Sequence, residues 1–295
     1  MIHKSLVDRL SLNKIASPFL IAPLLTLCTA HVSNAELLVY DGFGVGVGGY
    51  TDGASITGNG HGTGWLGDWT AGSQYATVSG GIAPSSIVSE DGMVTFGDGS
   101  SSQAMGRSYD VTFSSDDITE GWASWTVQRN GLREFRLNPF ATVTTGAGQF
   151  MGIHAENFSS SLTANIRYGS ANDIATGTSF EMSTATSYFM IAQAILNPLG
   201  TPDTFNVWIF ESSSYTGASL GAPTISVSHD SDFDFDSWSV TDQNPQNNTA
   251  NVVYDEFRIG NTFEDVSGIV PEPSTYALLA GAVCVGIAYL RRRHH

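Results

Sequence analysis

The chain has 295 residues, with 12 Lys and Arg against 28 Asp and Glu, a formal net charge of −16. Hydrophobic residues make up 41% of it and charged residues 14%, which excludes a disordered chain and a coiled coil. The acidic balance excludes nucleic acid as a partner, because phosphate contacts need clustered Lys and Arg.

The N-terminal segment carries Lys4, Arg9 and Lys14, then an apolar stretch from Ile15 to Cys28 broken by Pro18 and Pro23. It closes on Ser33-Asn34-Ala35, small residues where a signal peptidase reads them. A basic start, a short apolar run and such a site predict a secretory signal peptide over 1–35, exported by the Sec machinery and cleaved after Ala35. An anchor helix is the alternative, but the stretch is short for a bilayer and holds two prolines.

Between the ends, residues 36–269 hold 26 acids and six arginines, a formal charge of −20, and neither Lys nor Cys. Disulfides are therefore excluded there, and a body of this size can bury a core without them. Alternating runs rich in Val, Ile, Thr and aromatics predict eleven strands, bounded by Gly, Asn, Asp, Ser or Pro. In chain order they are Leu37–Asp41, Met93–Phe96, Ser108–Phe113, Trp122–Gln128, Phe150–Ala155, Leu162–Tyr168, Tyr188–Leu196, Phe205–Glu211, Thr224–His229, Ser237–Thr241 and Val252–Ile259. Only Tyr188–Leu196 has a pattern that a short helix could share. The expectation is one all-β sandwich domain.

Several motifs carry candidate chemistry. Gly217-Ala-Ser219-Leu-Gly221 fits a nucleophile elbow, but Pro223 and a strand follow where a helix is needed. Gly44 to Gly49 fits a dinucleotide loop, again without the helix. His61, His154 and His229 have no metal-ligand spacing. Asp230, Asp232, Asp234 and Asp236 recur at period two; on a strand they would share one face, as a solvated acidic hairpin or a cation site. Trp122 alternates against Ala123, Trp125 and Val127, and Trp208 and Phe210 alternate against Phe205, Val207 and Ile209. Trp122, Trp208 and Phe210 are thus either a sugar-stacking surface or a second packed layer. Alternation also places Asp41 with Leu37 and Val39, and Asp255 with Val253, Phe257 and Ile259. Each is an acid on an apolar face, to be hydrogen-bonded or metal-bound.

Leu38-Val-Tyr-Asp-Gly-Phe43, Gly62-Thr-Gly-Trp-Leu-Gly-Asp-Trp69 and Val252-Val-Tyr-Asp-Glu-Phe-Arg-Ile-Gly260 together resemble concanavalin A-like jelly-roll domains of the LamG and laminarinase type. The resemblance implies a jelly-roll body and a structural Ca²⁺ between the terminal strands, held by Asp41 and Asp255. Laminarinase-type enzymes carry a Glu-x-Asp-x-x-Glu strand that supplies nucleophile and acid/base; no such spacing occurs here, which leans against an enzyme.

The chain ends with Val270-Pro271-Glu272-Pro273, an apolar run to Leu290, and Arg291-Arg292-Arg293. From Ser274 to Leu290 a helix would span about 26 Å, enough to cross a bilayer, with the arginines on the cytoplasmic side. These three elements, over 270–295, closely resemble the PEP-CTERM sorting signal of Gram-negative bacteria. The resemblance implies processing by an exosortase, transient anchoring in the inner membrane, and delivery to the cell surface or the extracellular biofilm matrix. The expected function is a non-enzymatic glycan-associated or structural matrix protein with exopolysaccharide as partner; the alternative is a glycan hydrolase or lyase with an unrecognised site.

Overall fold

In the computed structural model the described residues are 37–269, apart from 47, 97–101, 143–147, 157–158, 169–173, 218, 233 and 244–250, and all fall in one unit. The expected signal peptide with Ala35, and the sorting tail with Val270, Pro271, Glu272, Pro273, Arg291, Arg292 and Arg293, lie outside them. Among the described residues no helix is long and apolar enough to cross a membrane.

Numbered in chain order, two antiparallel sheets form a sandwich. The first runs β13 (Ile225–His229), β12 (Asp203–Glu211), β11 (Ser187–Ile195), β6 (Glu120–Asn130), β15 (Asn251–Gly260), β4 (Met93–Phe96) and β3 (Tyr75–Val78), with β1 (Leu37–Asp41) also paired to β15. The second runs β10 (Ile174–Glu181), β9 (Ser161–Arg167), β8 (Phe150–Ala155), β7 (Glu134–Ala141), β14 (Phe235–Gln243), β5 (Gln103–Phe113) and β2 (Trp65–Ala71). The segment Tyr188–Leu196 that could have been helical is strand β11. Its β-branched and aromatic residues pack on both faces of the sheet, between β6 and β12.

The inward faces enclose one apolar core. Trp125 of the first sheet meets Trp238 of the second edge-on at 5.8 Å, and Trp238 stacks on Phe257 at 4.4 Å. The outer face of the first sheet carries a smaller apolar cluster of Trp122, Phe189, Ile191 and Trp208. It is packed against Ile87, Tyr215 and Val266, the last on the one-turn helix α1 (Phe263–Val266). The outer face of the second sheet has a different, polar composition.

Two expectations are corrected. Asp255 does not share a face with Phe257 and Ile259. Glu256 adopts a left-handed backbone, φ 58°, and the register with β6 shifts between Asp255 and Arg258. This bulge exchanges the faces: Val252 and Tyr254 before it, and Phe257 and Ile259 after it, all enter the core. The acidic run is not one strand face either. Asp230 and Asp232 lie in a loop, where Asp230 accepts from the Gly200 N–H at 2.8 Å and Asp232 from the Ser115 hydroxyl at 3.4 Å. Strand β14 begins only at Phe235.

Candidate functional site

Asp41 ends β1 and is buried. Its carboxylate accepts from the Phe43 N–H at 3.0 Å, the Tyr50 hydroxyl at 2.6 Å and the Trp69 indole N–H at 2.9 Å, and pairs with Arg107 at 3.5 Å. Burial pushes its pKa up to about 6, and these donors oppose that rise. Asp255 is also buried; one oxygen accepts from the Ile82 N–H at 3.0 Å, and the other has no hydrogen-bond partner among the described residues. Burial, then the neighbouring Glu256, raises it to about 9. Glu256 holds the same covering segment: it accepts from the Glu90 N–H at 2.9 Å and from Arg258 at 2.5 Å.

Asp41 and Asp255 therefore have separate surroundings and no common partner. One faces donors and a guanidinium, and the other is closed under a backbone segment. Together they do not fit a shared Ca²⁺ site, which needs several free oxygens around one point. Among the described residues no group of three or more His, Cys, Asp or Glu is placed to hold a metal ion.

The structure does bring Trp122 and Trp208 together, stacked at 5.6 Å and 18°. They are 8% and 6% exposed, and the Trp208 N–H donates to the Gly221 carbonyl at 3.1 Å. Phe210 joins them through Tyr215, at 5.2 Å. Trp122 and Trp208 belong to the outer apolar cluster of the first sheet, where segments of the chain cover them, and Phe210 packs against it partly buried.

The second sheet's outer face carries polar side chains in register. In β7, β8 and β9 the alternate residues Phe135, Leu137, Met151, Ile153, Leu162, Ala164 and Ile166 enter the core. Arg136, Asn138, His154, Thr163, Asn165 and Arg167 therefore face outward. Strand pairing sets these in rows. Asn165 lies opposite Gly152, next to a bulge holding Asn138, which lies opposite Ser239, itself opposite Gly106. On one side runs Thr163, His154, Arg136 and Thr241; on the other, Arg167, Phe150, Ala141, Ser237 and Ser108. Glycine at 152 is required, because a Cβ there would collide with the Asn138 carboxamide. That carboxamide lies over Gly152 and donates to the Ser239 hydroxyl at 3.1 Å.

The polar atoms of this face are incompletely satisfied. Asn138 Oδ1, Asn165 Oδ1, Arg136 Nε and Arg167 Nε are all buried and find no hydrogen-bond partner among the described residues. Leaving such an atom without a partner costs about 1–3 kcal/mol; atoms of the same kind also lie elsewhere, among them Arg129 Nε and the indole nitrogens of Trp125 and Trp238. At the rim, Glu134 contacts His154 Nε2 at 3.1 Å and Arg136 at 3.2 Å. Burial, then the Arg136 charge, lowers the His154 pKa below its ordinary 6.5, so the imidazole is neutral at pH 7.

None of these face residues was singled out from sequence, beyond noting that His154 lacks metal-ligand spacing. The signal was present: Arg136 and Asn138, then Thr163, Asn165 and Arg167, stand at period two between apolar residues. Alternation of that kind is also what a solvent-facing strand shows, so only the sheet order joins the two runs.

No family model matches the chain, and no curated protein matches it. Solved structures with similar folds include the VIP36 exoplasmic/lumenal domain in its Ca²⁺- and Man-bound form, at 9% identity and TM-score 0.42, over 79% of this chain and 92% of that one. The Emp47p carbohydrate recognition domain matches at 8% and 0.39, over 71% and 94%. The binding domain of botulinum neurotoxin serotype D matches at 8% and 0.42, over 79% and 50%, so the chain spans about half the length of that structure. Likeness of this degree assigns neither ligand nor activity.

Proposed function

We propose that the chain is a glycan-binding protein of the cell surface or extracellular matrix, with a jelly-roll body, and that the outer face of its second sheet is the binding face. The observation that carries this is the set of four buried, unpartnered polar atoms on Asn138, Asn165, Arg136 and Arg167. A polyhydroxylated ligand supplies both donors and acceptors and would complete such a face. The test is a polysaccharide panel against the purified protein, with and without Ca²⁺. Binding of at least one polymer, independent of Ca²⁺, supports the reading; no binding across the panel overturns it.

Export, exosortase processing and matrix delivery belong to the same proposal. They are supported by the sequence signals at 1–35 and 270–295. Protein released at the surface of the native host should lack Arg291–Arg293 by intact mass. Mature protein that keeps them in the inner membrane would refute the sorting reading.

One observation favours a second reading, a glycan-active enzyme. His154 is a neutral imidazole hydrogen-bonded to a carboxylate on the proposed binding face, the equipment of a general base. Cleavage of a bound polymer, lost in His154→Gln with binding retained, would establish it.

A further inference from the structure

Arg167 closes β9 and is 7% exposed, yet among the described residues no carboxylate pairs with it and its Nε has no acceptor. The Phe150 ring lies 6.0 Å from its guanidinium carbon. The Nε atoms of Arg129 and Arg258 are also without a partner among the described residues, but other nitrogens of those guanidinium groups, and of Arg107, have acceptors. Arg107 meets Asp41 and the carbonyls of Gly67 and His61; Arg129 meets the carbonyls of Glu156 and Ser159; Arg258 meets Glu256. A sheltered guanidinium without a counter-charge is unfavourable. In a body with 26 acids a partner would be easy to supply, and among the described residues none is placed.

Phe150 lies opposite Arg167 in the register, with its ring beside the guanidinium. In the next row stand the free carboxamide oxygens of Asn165 and Asn138. Two acceptors for hydroxyl groups thus lie beside one cation with an open fork. We infer that the second-sheet face takes a carboxylate-bearing sugar, a uronic acid unit within a polysaccharide, with Arg167 on the carboxylate and Asn138 and Asn165 on neighbouring hydroxyls. This rests on the glycan-binding reading and names its ligand class. The planar fork of arginine matches a carboxylate through two parallel hydrogen bonds, which a lysine does not reproduce.

The experiment titrates the purified protein with polygalacturonate, with the same polymer after reduction of its carboxyl groups, and with dextran sulfate. Polygalacturonate should bind, and the reduced polymer at least about tenfold more weakly, the scale of a charge-assisted pair. Arg167→Lys should lose a similar factor. Arg167→Met keeps a flexible apolar side chain over Phe150 and removes an uncompensated charge, so its melting temperature should equal or exceed that of the parent while polygalacturonate binding falls. Equal binding of the native and reduced polymers would overturn the uronate assignment and leave glycan binding standing. Tighter binding of dextran sulfate than of polygalacturonate would overturn it in favour of a sulfate ester. Failure of all three polymers, or a large drop in melting temperature for Arg167→Met, would remove Arg167 from any ligand role.

Discussion

Asp255 shows how one buried side chain sets a pH response. Its folded pKa of about 9 stands far above the ordinary 3.8, because burial and Glu256 disfavour the charge. Between those values the folded state holds a proton that the unfolded state has released, so stability falls as pH rises across that window. Asp41 and Asp242, each raised to about 6 chiefly by burial, add the same sign up to about pH 6. Asp255→Asn keeps an acceptor for the Ile82 N–H and cannot ionise. It should melt higher than the parent at about pH 8.5, differ little near pH 4, and flatten the slope between. A parent protein whose melting temperature climbs from pH 6 to pH 9 would contradict the assignment.

Elements were legible in proportion to how far their apolar alternation is unbroken. The eleven strands expected from sequence all exist; β2, β3, β7 and β10 are four more. Of these, β2, β3 and β10 are sheet edges, and β2 and β10 are largely exposed and interrupted by Gly67 or Gly177, so they lack an apolar period. Strand β7 is central but carries Glu134 and Arg136, and Pro139 falls inside its bulge, where a missing N–H is tolerated. The same mechanism hid the facing of Asp255: a one-residue bulge at Glu256 reverses every assignment beyond it, and nothing local announces it. The aromatic faces of β6 and β12 were legible as such, but whether segments cover them depends on other parts of the chain, those carrying Ile87, Tyr215 and Val266. Because they are covered, Trp208→Ala should cost about 3–5 kcal/mol of stability by urea denaturation, as for a core tryptophan. It should leave the affinity of the folded protein for polysaccharide unchanged. A stability loss under about 1 kcal/mol with loss of binding would return Trp208 to a sugar-stacking role.

At the scale of the whole molecule the charge of −20 on residues 36–269 governs the response to ions. Any divalent cation screens that self-repulsion and stabilises the compact state. With Asp41 and Asp255 held by different partners, Ca²⁺ and Mg²⁺ at matched ionic strength should raise the melting temperature alike, and Asp255→Asn should respond as the parent does. A shift with Ca²⁺ alone, lost in Asp255→Asn, would mean a specific site there. The sandwich was accessible from strand rhythm, whereas the proposed binding face arises from residues on five strands, β5, β7, β8, β9 and β14, that only sheet order joins.

The most direct test of that face is the polysaccharide affinity of Asn165→Leu. Leucine matches the size of asparagine and removes a buried oxygen that has no partner, so the free protein should be as stable as the parent or more so. The face should lose a hydrogen bond to its ligand, and the dissociation constant should rise about tenfold. Undiminished affinity in a folded Asn165→Leu protein would contradict the assignment of the second sheet's outer face as the binding site.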